Sequence, residues 1–228
     1  ELGYDIKELC LVDPKQQLHL TEYTQPALYV VSALAFYAQN ERPDFTAGHS
    51  LGEYNALLAA GVFDFITGLK LVKKRGELMS LATAGGMTAV LGLSVSEVEN
   101  LLIGHSLAEP LAIANYNSHQ QLVLSGTLTA LEKIQPLYKA AGAKVIPLKV
   151  SGAFHSPLMR EASKAFADYL KSFTFHAPKI PVIANVDAKP YPTDANAIAN
   201  LLVKQIVSPV HWLQTITFFQ QQPGIDYQ

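Results

Sequence analysis

Cysteine is nearly absent from this chain of 228 residues: Cys10 stands alone. That excludes an internal disulfide framework and any multi-cysteine zinc site, and it suits a reducing compartment. Charge is scarce too. Charged side chains make up 16% of the residues, and 17 Lys and Arg against 19 Asp and Glu leave a formal net charge of −2. No basic excess marks a nucleic-acid binder, and no acidic block marks a solvated tail. No apolar run reaches bilayer length. The longest, Ala27 to Ala38, is interrupted by Ser32 and falls short of the about 20 residues a span requires. The first residues lack the basic, apolar and small-residue succession of a secretion signal. Internal repeats and low-complexity segments are missing as well. Apolar residues are plentiful, at 49%. That is too many for a disordered polymer and enough for one large domain, or a medium one with an insertion. The expectation is a cytoplasmic globular protein with neither a membrane nor a nucleic-acid partner.

Patterning supplies the elements. Gln25-Pro26 predicts a helix start, because proline suits the first turn. Ala27 to Gln39 continues that helix, apolar nearly all round and therefore expected to be buried. Phe45 to Gly48 reads as the end of a short strand. Leu51 to Ala60 is a helix closed by Gly61, and Asp64 to Ala82 is a second. The pattern then changes. Met87 to Leu93, Leu111 to Asn117, Gln121 to Ser125 and Lys144 to Val150 read as strands. Ser94 to Leu102 and Thr127 to Ala141 read as the helices between them, with Ser94 and Glu97 forming a capping box. The order β-α-β-β-α-β matches a split βαβ, ferredoxin-like unit. Beyond it come a helix from Ser156-Pro157 to about Phe173, a buried strand at Pro181 to Asn185, and a helix from Ala195 to Val207 capped by Asp194. The expected class is α/β, with a mainly parallel sheet in a discontinuous core of residues 1–85 and 151–228 and an inserted subdomain at 86–150.

Gly48-His49-Ser50-Leu51-Gly52 is a G-x-S-x-G sequence flanked by a strand and a helix, the context of a nucleophile elbow. Ser50 is the candidate nucleophile. The N–H of Leu51, at a helix N-terminus, is the candidate oxyanion donor. A serine needs a base, and seven histidines compete. His19, His105 and His176 fall in polar or connecting segments, His119 in a hairpin turn, and His211 beside Trp212 reads as a packed ring, while His49 sits inside the elbow with its side chain expected to point away from that of Ser50. His155, in Gly152-Ala153-Phe154-His155-Ser156-Pro157, occupies a strand-end loop before a helix and is the best candidate. No acidic residue obviously completes a triad.

On a helical wheel Arg75 falls at the centre of the apolar face formed by Leu71, Leu78, Met79 and Ala82. A guanidinium there must meet an anion. Two partners remain open: an internal carboxylate such as Glu53, or the carboxylate of a substrate held bidentately.

The run Gly48-His49-Ser50-Leu51-Gly52-Glu53-Tyr54 resembles the nucleophile motif of malonyl-CoA:acyl carrier protein transacylases, a family that includes the acyltransferase domains of polyketide synthases. The likeness extends through Thr24-Gln25-Pro26-Ala27, Lys74-Arg75-Gly76-Glu77-Leu78-Met79, Asn115-Tyr116-Asn117-Ser118 and Ser125-Gly126. It continues in Phe154-His155-Ser156-Pro157-Leu158-Met159, Asn185-Val186 and Gln205-Ile206. The resemblance implies an α/β-hydrolase-like core with a ferredoxin-like insertion. It implies Ser50 as nucleophile, His155 as base and Arg75 as the clamp of the malonyl carboxylate. Gln205 resembles the residue whose main-chain carbonyl orients the histidine. His49 and Asn117 resemble pocket residues, and Phe154 resembles the bulky neighbour of the base in malonyl-selective members. Malonyl-CoA and the phosphopantetheine thiol of an acyl carrier protein are the implied partners, with no further cofactor. Lys139, Lys144 and Lys149 are candidates for meeting an acidic carrier protein. Family members carry a glycine-rich segment ahead of the region matched here and a strand behind it, so both ends are expected to be truncated. An acyl hydrolase of the same fold and a non-catalytic docking domain are the alternatives. Arg75 argues against the first. Intact Ser50, His155, Arg75 and Gln205 argue against the second.

Overall fold

Local chemistry sets most helix boundaries. Asp64 accepts from the N–H of Thr67 at 2.7 Å, and Ser94 and Glu97 cap each other's main chain. Thr127 accepts from Ala130, and Asp194 from Ala197 at 2.8 Å. Each satisfies donors that a first helical turn leaves open. A computed structural model describes residues 1–39, 43–82, 85–105 and 110–224. In chain order the elements are α1 (Ile6–Leu11), α2 (Thr21–Ala38), β1 (Thr46–Ala47), α3 (Gly52–Ala59), α4 (Phe65–Ser80), β2 (Gly86–Leu91), α5 (Val95–Gly104) and β3 (Leu111–Ser118). There follow β4 (Gln121–Gly126), α6 (Leu128–Ala140), β5 (Lys144–Pro147), α7 (Arg160–Leu170), β6 (Val182–Ile183), α8 (Ala195–Gln205) and α9 (Trp212–Gln220). No helix among the described residues is long and apolar enough to cross a membrane.

The chain forms two compact units. The first comprises Glu1–Ala82, Glu161–Ile183 and Pro190–Val203; the second comprises Thr83–Arg160, Ala184–Lys189 and Lys204–Gln228. The second unit therefore takes in residues 86–150 together with the loop of His155 and the segment after α8.

In the first unit β1 and β6 pair in parallel, Thr46 with Val182 and Ala47 with Ile183. Helices α2 and α4 approach closely, because a side chain at Gly68 would strike the Tyr29 ring. Tyr29, fully buried, donates its hydroxyl to the carbonyl of Phe65 at 3.2 Å and stacks on the Phe65 ring. The edge of Tyr54 meets Phe166. Burying side chains of this size contributes about 1.5–3 kcal/mol each.

The second unit is built on an antiparallel sheet in the order β3-β4-β2-β5. Side chains alternate across it. Val90, Ile113, Leu122 and Leu124 pack with Val98, Leu131, Ile134 and Tyr138 of α5 and α6. Met87, Ala89, Ala114 and Val123 face the other way, where Phe154 and Ile146 cover them.

Four expectations need correction. Helix α2 begins at Thr21, so Pro26 lies inside it rather than at its start. The proline removes the donor that the carbonyl of Glu22 would otherwise accept, while Thr24 Oγ1 bonds the carbonyl of Leu20. The helix is also not buried all round. Leu28, Val31, Leu34 and Tyr37 are each more than half exposed, because α3 and α4 cover one side only. The strand expected at Pro181 to Asn185 shortens to Val182–Ile183, since Ala184 already turns to bond Lys189. Finally, the helix expected from Ser156 opens as a 3₁₀ turn at Pro157–Met159 before α7.

Asp64 offers a test of cap chemistry. The hydrogen bond from the Thr67 main chain holds its carboxyl below the usual range, so its contribution is present at neutral pH and is lost as pH falls through that lowered value. Asp64→Ala should cost about 1 kcal/mol in urea unfolding at pH 7, and the difference from the parent chain should shrink in acid.

Candidate active site

The G-x-S-x-G segment turns sharply from β1 into α3. Ser50 adopts φ +52°, a left-handed conformation that a residue bearing a side chain seldom takes and that recurs where function stores strain. The turn closes through Gly52 N–H to His49 and Glu53 N–H to Ser50. It demands glycine at position 48, where a Cβ would run into the carbonyl of Gly52. Leu51 is the N-cap residue of α3, so its N–H belongs to the open, positive end of that helix. His49 is exposed, beside the partly buried Ser50.

Arg75 is 1% exposed on α4. Its Nη1 donates to Gln25 Oε1 at 2.7 Å, and its Nη2 donates to Ser50 Oγ at 3.1 Å. The guanidinium lies 5.6 Å from the centre of the Tyr54 ring, within cation–π range. Burial pulls its pKa down, and the neighbouring Tyr54 and Glu53 counter that. Burial likewise pushes the Tyr54 hydroxyl up. Glu53, at 0% exposure, accepts from the hydroxyl of Tyr191. Three helices and the elbow thus converge on one cation: α2 through Gln25, the turn before α3 through Ser50, α3 through Glu53 and Tyr54, and α4 through Arg75 itself.

The other candidates lie in the second unit. His155, 3% exposed, adopts φ +56°. Its Nδ1 faces two main-chain carbonyls, that of Gln205 at 2.9 Å and that of Ser208 at 3.2 Å. Carbonyl oxygens only accept, so Nδ1 carries the proton and Nε2 is the basic nitrogen. The loop is braced by Ser156, whose hydroxyl donates to Ala153 at 2.6 Å and accepts from Leu158. Phe154 is part-buried against the sheet. Asn117 sits on β3 where the register slips between Tyr116 and Ser118, an irregularity that re-aims side chains. Lys139, Lys144 and Lys149 are all exposed.

The structure thus brings Ser50 together with Arg75, and His155 together with Gln205. Sequence reasoning missed the contact of Gln25 with Arg75. A buried amide on an otherwise apolar helix was the available signal. It also missed the Tyr191 contact with Glu53 and the carbonyl of Ser208, and a main-chain acceptor leaves no residue-type signal. Among the described residues no group of three or more His, Cys, Asp or Glu is placed to hold a metal ion.

A strained serine at a strand–helix elbow beside a buried guanidinium suits acyl transfer through a serine ester with an anionic acyl group. Comparison with known proteins agrees with that class. Residues 1–224 match the family model described as acyl transferase domain. A polyketide biosynthesis malonyl CoA-acyl carrier protein transacylase, BaeC of Bacillus velezensis, is 47% identical, covering all of this chain and 80% of that protein. The malonyl CoA-acyl carrier protein transacylase of Salmonella typhimurium is 38% identical over 99% of this chain and 75% of its own length. Among solved structures, a transacylase from Burkholderia pseudomallei superposes with a TM-score of 0.90 at 48% identity, over 96% of this chain and 76% of that one. A malonyl-transacylase solved with a type II polyketide synthase acyl-carrier protein also gives 0.90, at 37% identity, over 97% of this chain and 74% of that one. The chain belongs to the acyl transferase family. Its fold is mixed α/β, with one parallel and one antiparallel sheet among the described residues.

The elbow can be tested by two glycine substitutions. Gly48→Ala should lower stability on the order of 3 kcal/mol, because only a shift of main chain relieves the clash. Gly52→Ala, where the added carbon meets nothing within 4 Å, should stay close to the parent in chemical denaturation.

Proposed function

We propose that this chain is a malonyl-CoA:acyl carrier protein transacylase of fatty acid or polyketide synthesis. The observation that carries the reading is the buried Arg75 donating to Ser50 Oγ, which puts a cation where the far end of a short acyl diacid would lie. In the proposed reaction Ser50 Oγ attacks the thioester carbon of malonyl-CoA, and His155 Nε2 takes its proton. The oxyanion is met by the N–H of Leu51. As the tetrahedral adduct collapses, the C–S bond breaks and His155 returns the proton to the CoA thiolate. The carrier-protein phosphopantetheine thiol then gives up its proton to His155 and attacks the malonyl-serine ester, freeing Ser50. Gln205 contributes the carbonyl that orients the base. Arg75 holds the malonyl carboxylate with two charge-assisted bonds and Gln25 steadies its other nitrogen. His49, Asn117 and Phe154 are the further substrate-binding residues of this reading.

The same proposal includes the finer architecture: an α/β-hydrolase-like core of residues 1–85 and 151–228, and a ferredoxin-like subdomain at 86–150. The β2-α5-β3-β4-α6-β5 order with strands arranged β3-β4-β2-β5 supports the second part. We place the enzyme in the cytoplasm, in keeping with its lone cysteine. It needs no cofactor beyond its substrates, malonyl-CoA and the phosphopantetheinylated carrier protein, and Lys139, Lys144 and Lys149 meet the acidic carrier. A hydrolase of the same fold is the second reading, and a buried arginine beside the nucleophile is wasted on its uncharged acyl chains.

Intact mass after mixing with malonyl-CoA tests the first step. One malonyl group should add to the parent chain and none to Ser50→Ala; an adduct persisting in that variant, or located on Cys10, contradicts the assignment. His155→Ala should acylate about 10²–10⁴-fold more slowly.

Selectivity tests the arginine. Arg75→Ala should lose about 10²-fold or more in kcat/KM for malonyl-CoA while keeping its rate with acetyl-CoA. Arg75→Lys should rescue poorly, since an ammonium cannot make the planar fork. Equal losses on both substrates would return Arg75 to a purely structural role.

A further inference from the structure

The carbonyls that face His155 sit on a short turn, closed by Val207 N–H to Lys204 at 3.2 Å and Ser208 N–H to Gln205 at 3.4 Å. Gln205 ends α8, and Ser208 and Pro209 follow outside any helix. Helix α8 holds its near end, and its far end lies along β3 as a parallel bridge between Asn115 and Val210. Tyr116 N–H donates to the carbonyl of Val210 at 3.0 Å, and Val210 N–H donates to that of Ala114 at 2.8 Å. His211 N–H donates to Asn185 at 2.9 Å. Over this bridge the rings of Tyr116 and His211 lie 5.1 Å apart at an interplanar angle of 7°, a parallel offset stack. Tyr116 is tied in turn to α5, its hydroxyl donating to Glu99 at 3.0 Å. Glu99, Tyr116, His155, Val207 and Pro209 line one cavity of about 490 Å³. Tyr116, one ring of the stack, therefore lines the same cavity as the imidazole.

We propose that Tyr116 and His211 are positioning residues for the base: their stack holds the 205–210 stretch against β3 and so keeps both carbonyls on Nδ1 of His155. This rests on the reading of His155 as the base. A carbonyl pair orients an imidazole only while the main chain bearing it is fixed, whereas a carboxylate side chain could follow the ring. Two main-chain bonds and one stack connect that stretch to the sheet, and the stack is the side-chain part of the connection. Burial keeps His211 below its ordinary pKa, against the pull of Asp187 and Gln214, so the ring stacks in its neutral form at neutral pH. Phenylalanine is then a fair replacement for what the ring does, and leucine replaces only its bulk.

The test compares His211→Leu with His211→Phe in malonyl-CoA acylation and in the downfield proton spectrum, where the protected Nδ1–H of His155 is assigned by its loss in His155→Ala. His211→Leu should lower kcat about tenfold or more, leave KM for malonyl-CoA within about twofold, and broaden the Nδ1–H signal. His211→Phe should restore rate and signal together. A folded His211→Leu with the parent kcat and a sharp signal overturns the proposal, and so does a phenylalanine variant as impaired as the leucine one. If the leucine variant does not fold, Tyr116→Leu is read in the same way. Failure of both to fold makes the pair a residue of the fold and likewise overturns it. An active His155→Ala would instead remove the base assignment itself, whatever the stack variants do.

Discussion

One desolvated guanidinium organises the first unit. Taking a charge out of water costs several kcal/mol even after relaxation, so Arg75 can stay at 1% exposure only among groups that accept its hydrogens or face its charge. Gln25 on α2, Ser50 in the turn before α3, and Tyr54 and Glu53 on α3 are those groups. Their convergence is a demand on helix packing before it is a demand on chemistry. Gly68 lets α2 come close to α4, and that closeness brings a glutamine 50 positions away in sequence within 2.7 Å of the arginine. Glu53 in turn is held through Tyr191, which extends the arrangement to the chain beyond β6. The hydroxyl of Ser50 accepts from that same cation.

In the second unit the orientation of His155 is set by main chain. Two main-chain carbonyls face its Nδ1. They select the tautomer without placing a full negative charge against the ring. The arrangement shifts the structural requirement away from one side chain and onto the path of a whole segment. Its cost is a backbone that must be held, and the bridge to β3 together with the ring pair above it meets that requirement. Both Ser50 and His155 take left-handed φ values, as do Asp13, Gln16 and Ala188.

Much of this was legible in the residues. The wheel placed Arg75 on the apolar face of α4, and it is buried there. The G-x-S-x-G run between a strand and a helix marked an elbow, and Ser50 takes φ +52° there. The capping residues Asp64, Ser94, Thr127 and Asp194 marked helix starts that the structure reproduces. Misreadings arose where a local rule met a distant neighbour. Pro26 suggested a helix start because proline fits a first turn, yet Thr21 to Gln25 extend the helix backward. The apolar circumference of α2 suggested full burial, yet burial needs partners on every side, and periodicity does not report them.

By itself the sequence determined the elements whose causes are local: caps, the elbow and its glycines, the two-faced strands of the antiparallel sheet, and the presence of a cation on an apolar helix face. These follow from steric rules and from periods of 3.6 and 2. Only the tertiary structure decided which partners those groups meet: Gln25 for Arg75, Tyr191 for Glu53, the Ser208 carbonyl as well as that of Gln205 for His155, and Tyr116 for His211. These pairs are separated by long stretches of chain. They meet because close packing leaves one arrangement in which the buried charge and the buried ring nitrogen are both satisfied, and nothing local in the sequence encodes that condition.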